Sequence, residues 1–254
     1  MIDSHSHLFE DEFEDDFGEV LNHLKENNVT KVVLVGFSHE GNEKAYQLSQ
    51  KYPKLFYNTA GLHPDQTDFV SEKDLKILED FIKSHKVYAL GEIGLDYHWT
   101  KDNTLKQKWL FEEQIKMAIK YQLPIVIHSR DADNDTFEIL KRYHKDIKFV
   151  MHCYSGSKEL ALEYLKLGAY ISLGGPVTFK NAVKPKEVAK IVPADKLFIE
   201  TDSPYMAPTP MRGKRNESAY VIYVLKEIAN IKEMDEKELE NIIDQNIINF
   251  FKLD

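Results

Sequence analysis

Residues 105–128 have the sequence LKQKWLFEEQIKMAIKYQLPIVIH, in which a long amphipathic pattern runs directly into a short apolar one. Within it, residues 105–121 carry apolar side chains among charged ones over a length typical of a helix. Residues 124–127 are apolar at consecutive positions, which is typical of a parallel strand buried on both faces. The stretch therefore predicts a helix that leads into a buried strand, and that strand ends in the imidazole of His128.

The same alternation recurs from one end of the chain to the other. Eight short apolar runs predict strands at residues 2–8, 31–37, 55–62, 87–94, 124–128, 148–153, 170–173 and 197–201. Amphipathic runs predict helices, among them 15–26, 75–82, 105–121 and 158–167, with two or more in 219–251. Units of about 32 residues match the roughly 250-residue (β/α)8 barrel. A doubly wound sheet is the alternative, but no glycine-rich turn follows the first strand. We therefore expect an α/β protein with a (β/α)8 TIM barrel in a single domain, 1–254.

Composition argues against several classes of protein. The 254 residues include 33 Lys and Arg against 42 Asp and Glu, a net charge of -9, so bulk charge does not favour coating nucleic acid or anionic membrane. The start has no basic and apolar leader, and no run approaches the ~20 apolar residues of a membrane span. The one cysteine, Cys153, excludes an intramolecular disulfide. We expect a cytoplasmic protein that does not bind membranes.

The residues at the strand ends point to metal chemistry, because catalytic residues of such barrels lie at the carboxyl ends of strands. The first strand ends in His5-Ser6-His7, and side chains two apart on a strand share a face, so both imidazoles can hold one metal. Glu92 meets apolar residues near the end of the fourth strand, where a carboxylate is costly unless a metal or cation pairs with it. A chance histidine pair and an internal salt bridge are the ordinary alternatives.

Three further strands end in potential ligands. His128 ends the fifth strand, His152 ends the sixth, and Asp202 follows the eighth. Either histidine alone is more often a hydrogen-bonded structural residue than a ligand. Together, four histidines and two carboxylates suffice for two divalent ions with one bridging carboxylate. The six predicted ligands are His5, His7, Glu92, His128, His152 and Asp202.

Neighbouring polar residues are assigned lesser roles. We expect Asp96 in the loop after the fourth strand, supporting a ligand from outside the metal site. Glu200 lies two residues before Asp202, so it shares that face but has less access to substrate. Cys153 neighbours His152, and adjacent strand residues point to opposite faces, so we expect a packed thiol away from the chemistry.

The remaining histidines and two loop arginines are assigned to substrate or to the surface. His63 ends the third predicted strand without a second ligand two residues away, so we assign it to substrate. Arg130 and Arg212 lie in loops and could hold a phosphate, although a surface ion pair is equally common. His98 could approach the barrel mouth. The histidines expected at the surface are His23, His39, His85 and His144.

Several motifs, in order along nearly the whole chain, are similar to those of the TatD family of metal-dependent deoxyribonucleases, which are amidohydrolase-like barrels. They are DSHSHL at 3–8, GLHP at 61–64, GEIGLDY at 91–97, PIVIHSRDA at 124–132, HCYSGS at 152–157, ETDSPY at 200–205 and RGKRNES at 212–218. Departures are minor: Tyr154 stands where Phe is expected, and Ser218 stands where Pro is common. Neither position is a proposed ligand.

The resemblance implies a dinuclear site and a nuclease activity. One ion would be held by His5, His7, Glu92 and Asp202, and the second by Glu92, His128 and His152. The ions would be two divalent metals among Mg, Mn, Zn, Co and Ni. The implied reaction is hydrolysis of DNA phosphodiester bonds, typically as a 3'→5' exonuclease on single strands or ends. We expect a metal-activated water as nucleophile, Asp202 as general base, catalytic roles for Glu92 and His63, and a monomer.

Two other functions compete with this interpretation. The same site could attack a carbonyl, as in an amidohydrolase or a D-aminoacyl-tRNA deacylase. Many dinuclear amidohydrolases bridge their metals with a carboxylated lysine on the fourth strand, and Glu92 in that place favours the nuclease. A non-enzymatic scaffold is the third possibility, but a scaffold has no need for six ligand residues at strand ends.

Overall fold

Eight parallel strands alternate with helices in the computed structural model, which describes residues 1–254. The strands are β1 (Ile2–Ser6), β2 (Lys31–Leu34), β3 (Phe56–Asn58), β4 (Leu90–Asp96), β5 (Ile125–Arg130), β6 (Phe149–Met151), β7 (Tyr170–Leu173) and β8 (Leu197–Ile199). The helices are α1 (Phe17–Glu26), α2 (His39–Lys51), α3 (Glu72–Ser84), α4 (Thr104–Tyr121), α5 (Asp133–Tyr143), α6 (Lys158–Lys166), α7 (Val183–Ile191), α8 (Val221–Lys232) and α9 (Glu236–Phe251). None of these helices has the length and apolar character needed to cross a membrane.

Parallel pairing arranges the strands in chain order, and single bridges close the ring. Strands β1, β2 and β3 pair in one series and β4 to β8 in another. The bridge between Ala60 and Leu90 joins the two series on one side, and the bridge between Ser6 and Ser203 joins them on the other. The predicted (β/α)8 barrel is therefore confirmed.

The apolar runs form the inner layer of the molecule because both faces of each strand are covered. A single cluster of 63 buried apolar residues extends from Met1 to Leu253 and includes side chains from every strand and every helix. Near-complete burial explains why the strands are apolar at consecutive positions instead of alternating with polar residues.

Two buried glutamines of α4 fix the segments that carry polar residues to the barrel mouth. The side-chain amide of Gln107 accepts from the backbone N–H of Asp96 at 2.9 Å and donates to its carbonyl at 2.9 Å. Gln114 makes the same pair of bonds with Leu62, at 2.8 and 2.9 Å. Each amide thereby satisfies both backbone groups of one residue. Gln107 positions Asp96 itself, and Gln114 positions His63, the residue after Leu62.

Strand β4 ends two residues later than predicted, and this changes the place of one residue. The sequence placed Asp96 in a loop, but β4 continues because Asp96 pairs with Arg130 of β5. That prediction is wrong, since backbone pairing with the neighbouring strand holds the chain extended beyond the apolar run. Conversely, β3 ends at Asn58, so His63 lies beyond the strand, at the start of a short 3-10 helix.

Candidate metal centre

The first pair of histidines faces one point in the barrel mouth. His5 and His7 are buried, and their Nε2 atoms lie 3.2 Å apart. His7 Nδ1 lies 2.8 Å from the backbone carbonyl of Val35, which follows β2. Because a carbonyl oxygen only accepts, Nδ1 carries the proton and Nε2 of His7 presents a lone pair. Asp202 completes this group, with Oδ1 3.6 Å from His5 Nε2 and 3.5 Å from His7 Nε2.

The two oxygens of Glu92 face two different sets of nitrogen atoms. Oε1 lies 2.7 Å from both His128 Nδ1 and His152 Nε2, and these two nitrogens are 3.3 Å apart. Oε2 lies 3.4 Å from His5 Nε2 and 3.9 Å from His7 Nε2. The carboxylate is 5% exposed. A single buried side chain thus joins the group from β1 and β8 to the group from β5 and β6.

The donor atoms have the spacing that a divalent cation requires. An ion with ligands at about 2.1 Å in a tetrahedron keeps its donors roughly 3.4 Å apart. The four donors of the first group are separated by 3.2 to 3.9 Å wherever a contact is recorded, and the three donors of the second by 2.7 to 3.3 Å. Lone pairs converging at these distances repel unless a proton or a metal cation lies between them. The residues therefore fit divalent-metal binding, and all six predicted ligands belong to the two groups.

Three of the four histidines have an acceptor near the nitrogen that faces away from the ligand group, and for His7 and His128 this acceptor is a hydrogen-bond partner. His128 Nε2 lies 3.1 Å from Asp96 Oδ2, and His152 Nδ1 lies 3.4 Å from Glu200 Oε1. The third contact is the one between His7 and the Val35 carbonyl. Outer partners of this kind fix the tautomer and ring orientation of metal-binding histidines. Asp96 therefore supports His128 from outside the ligand group.

Glu200 lies near both His5 and His152, but its oxygens are held by neighbouring strands. It is 1% exposed and accepts from the backbone N–H of Cys153 at 2.6 Å and from the hydroxyl of Ser172 at 2.5 Å. These bonds join the residue after β8 to β7 and to the segment that follows β6. The side chain thus braces three neighbouring strands.

The electrostatics of the site favour cations. Burial raises the pKa of Glu92, but attraction to His152 and hydrogen bonds with His128 outweigh it, so the pKa lies well below its ordinary value. Burial lowers the pKa of His152, but Glu92 and Glu200 reverse this effect and raise it well above its ordinary value. Burial also raises the pKa of Asp202, and the hydrogen bond with His7 and nearby imidazoles lower it below the ordinary value. The carboxylates are therefore ionised and stabilise positive charge beside them.

A cavity of about 630 Å³ opens over the ligand groups. His63 and Arg130 line it, as the sequence led us to expect of substrate-facing residues. His63 Nδ1 lies 2.9 Å from Asp65 Oδ1, and its Nε2 lies 3.7 Å from Glu92 Oε1. A further group with ligand-like spacing is formed by His63, Glu92 and His128. The sequence did not predict it, because His63 has no second potential ligand two residues away on the same strand.

Two side chains lie in places that the sequence did not predict. Cys153 lines the cavity, because β6 ends at Met151 and the alternation of a strand no longer applies two residues later. Burial and nearby carboxylates raise the pKa of its thiol well above the ordinary value, which keeps it neutral. Arg212 does not line the cavity; its guanidinium carbon lies 3.9 Å from the ring centroid of Phe179, where a cation–π contact holds it.

Two aromatic residues that the sequence did not predict, but not the loop histidine His98, line the barrel mouth. His98 lies outside the cavity lining, with Nδ1 2.9 Å from the exposed carboxylate of Asp131. Trp99 and Tyr205 line the cavity, although no sequence pattern predicted a role for either. Only their position in the sequence could have indicated this, since each residue follows closely after a strand end that carries a predicted ligand.

Comparison with known proteins agrees with this geometry. The family model described as TatD related DNase matches residues 2–252. The metal-dependent hydrolase YabD of Bacillus subtilis (strain 168) is 42% identical over 254 residues, covering 100% of this chain and 99% of that protein. The metal-dependent hydrolase YcfH of Escherichia coli (strain K12) is 34% identical over 259 residues, covering 100% and 96%. The crystal structure of YjjV, a TatD homologue from Escherichia coli K12, has a TM-score of 0.93 at 28% identity, covering 100% and 98%. The chain belongs to the TatD family of metal-dependent hydrolases.

Proposed function

We propose that this protein hydrolyses DNA phosphodiester bonds as a 3'→5' exonuclease, acting as a monomer with two divalent ions. The observation that carries the proposal is the carboxylate of Glu92, whose two oxygens face separate groups of imidazole nitrogens. Two-metal sites of this kind are common in enzymes that cleave phosphodiesters. The match to a family described as TatD related DNase supports the same reaction.

The protein's own residues provide binding, orientation and proton transfer. When bound, divalent cations neutralise charge on a phosphate and make water more acidic. Asp202 borders the cavity and its pKa is held below the ordinary value, so its ionised carboxylate can accept the proton of the attacking water. His63 is oriented by Asp65 on one side of its ring and presents Nε2 beside Glu92, where it can position the phosphate.

The dimensions and charge of the cavity favour a strand end as the substrate. A volume of about 630 Å³ is typical of pockets that enclose a small molecule. A flexible single strand or a frayed 3' end can enter such a space, whereas an intact duplex must first unpair. The net charge of -9 gives the protein little general attraction for DNA, so binding relies on contacts close to the metals.

The test is a metal screen on labelled DNA. Protein loaded with Mg, Mn, Zn, Co or Ni is incubated with single- and double-stranded DNA carrying a 3' or a 5' label, and with D-aminoacyl-tRNA. We expect the 3' label to leave at once as a mononucleotide and the 5' label to appear on a ladder of shortening strands, faster on single strands.

Two variants make the test specific to the site. Glu92→Gln should bind neither ion and lose at least about a hundredfold in rate. Glu26→Gln alters an exposed glutamate of α1 and serves as the control that keeps full activity. Hydrolysis of D-aminoacyl-tRNA alone, or wild-type nuclease activity in Glu92→Gln, would overturn the proposal.

A further inference from the structure

Opposite sides of the cavity carry exposed apolar side chains that the hydrolysis scheme does not use. Trp99, after β4, is 76% exposed and lines the cavity. Tyr205 and Met206, after β8, are 53% and 40% exposed and line it as well. Strands β4 and β8 are four positions apart in a closed ring of eight, so these side chains flank the mouth from opposite directions. Large exposed apolar side chains at the edge of a cavity are typical of a ligand-binding surface.

The charges lining the cavity argue against binding a nucleic acid along its phosphate backbone. Arg130 is the only lysine or arginine in the cavity wall, and its guanidinium carbon lies 5.5 Å from the centroid of the Trp99 ring. The carboxylates of Asp65, Asp96 and Asp202 line the same space. Grooves that follow a phosphate backbone are rich in basic residues, and this wall is not. A strand whose phosphate reaches the metals must therefore contact the wall through its bases or sugars.

We propose that Trp99 is a stacking platform for a nucleobase next to the cleaved bond, an assignment that rests on the proposed DNA hydrolysis. Arg130 lies over the indole and the His98 ring contacts it in a T-shaped arrangement at 4.9 Å, yet Trp99 remains 76% exposed, so a base can lie against its exposed surface. Tyr205 and Met206 bound the opposite side of the space. Every base has an apolar face, so this contact accepts any base, with only a modest preference set by stacking strength.

Intrinsic fluorescence tests the contact without relying on catalysis. The chain has two tryptophans, and the second, Trp109, packs half-buried in α4. In Trp109→Phe the emission therefore comes from Trp99 alone. We expect saturable quenching of metal-loaded Trp109→Phe by a phosphorothioate oligo(dA) strand, which is cleaved slowly, and none by an abasic strand of equal length and charge. Equal quenching by both strands would overturn the platform.

Kinetics on DNA test whether the contact serves the reaction. Stacking on an aromatic side chain contributes roughly 5- to 150-fold in affinity, so Trp99→Ala should raise KM by that factor and change kcat little. Trp99→Phe should recover part of the loss, and neither variant should alter cleavage of a strand that is abasic near its 3' end. Phe69→Ala is the matched control, because Phe69 is 87% exposed but lies outside the cavity lining.

The outcomes separate the platform from the proposed function. If wild-type protein cleaves DNA and Trp99→Ala has the same KM as Phe69→Ala, the platform is wrong and the nuclease stands. If wild-type protein cleaves no DNA with any metal, the nuclease is wrong. In that case the absence of base-dependent quenching would overturn the platform as well.

Discussion

Asp96→Asn should weaken one metal position and spare the other. Asp96 Oδ2 lies 3.1 Å from His128 Nε2, and its Oδ1 accepts from the backbone N–H of His98 at 2.8 Å. The carboxylate therefore holds the His128 proton on Nε2 and leaves Nδ1, the atom 2.7 Å from Glu92, with its lone pair. In the variant, the amide oxygen keeps the bond to His98 and the NH2 group faces Nε2. A donor at that position favours the tautomer with the proton on Nδ1, which cannot bind a metal.

The size of the effect follows from the place of Asp96 outside the ligand group. Removing an outer partner of a metal-binding histidine typically costs 10- to 100-fold in metal affinity, which is about 1.4 to 2.7 kcal/mol. Only the position shared by Glu92, His128 and His152 should lose this amount. The position of His5, His7 and Asp202 has no recorded contact with Asp96 and should keep its affinity.

Calorimetric titration of metal-free protein with Zn²⁺ measures both positions in one experiment. Wild-type protein should bind two ions per chain, and Asp96→Asn should show one unchanged and one weakened dissociation constant. Asp131→Asn is the control, since Asp131 pairs with His98 at 2.9 Å, outside the ligand groups. Two dissociation constants weakened equally, or two unchanged, would refute the assignment of His128 to one position only.

The remaining predictions concern substrate, protons and packing. His63→Ala should keep both ions and lose rate, as metal analysis beside kinetics will show; loss of an ion instead would make His63 a ligand. Burial lowers the pKa of His7 and of His128, but bonds to Asp202 and Asp96 raise both above the ordinary value, so in metal-free protein the protons persist above pH 6.5. Metal affinity should therefore rise as pH increases through this range, with proton release measurable in buffers of different ionisation enthalpy; a constant affinity from pH 6 to 9 would contradict this. Gly94→Ala should destabilise the fold by at least about 2 kcal/mol in urea, because φ is 151° and a Cβ would overlap the His128 carbonyl, whereas Gly168→Ala, with φ 91° and open space, should lose only about 1 kcal/mol.

The barrel and the meeting of the ligands were accessible from sequence because both depend on short-range patterns. Strands buried on both faces are apolar throughout, and the carboxyl ends of parallel strands meet at one end of a barrel. His5 and His7 share a face because they are two residues apart on an extended chain. Such rules need no knowledge of which strands pair.

The errors arise where pairing or packing overrides the local pattern. Asp96 lies in β4 because Arg130 of the next strand pairs with it, and no property of the GLDY segment signals that partner. Cys153 faces the cavity because β6 ends at Met151, so a rule that holds within a strand was applied beyond its end. Contacts of His63 with Glu92 and His128 depend on a loop that the sequence could not place.

The position of Glu92 within β4 explains why this residue, and no other acid of the mouth, can join the two ligand groups. Asp202 lies close to the β1 histidines, Glu200 is held by Ser172 and the Cys153 backbone, and Asp96 contacts the outer nitrogen of His128. Asp202 and Asp96 are each committed to one side of the mouth, and Glu200, which lies near both His5 and His152, already accepts from the Cys153 N–H and the Ser172 hydroxyl. Glu92 instead lies four residues before the end of its strand, where the pairing register shifts between Leu90 and Ile93, and its side chain reaches both groups. The proposed two-metal mechanism therefore depends on Glu92, since the oxygens of Glu200 are already engaged in other hydrogen bonds and Asp202 contacts only the β1 histidines.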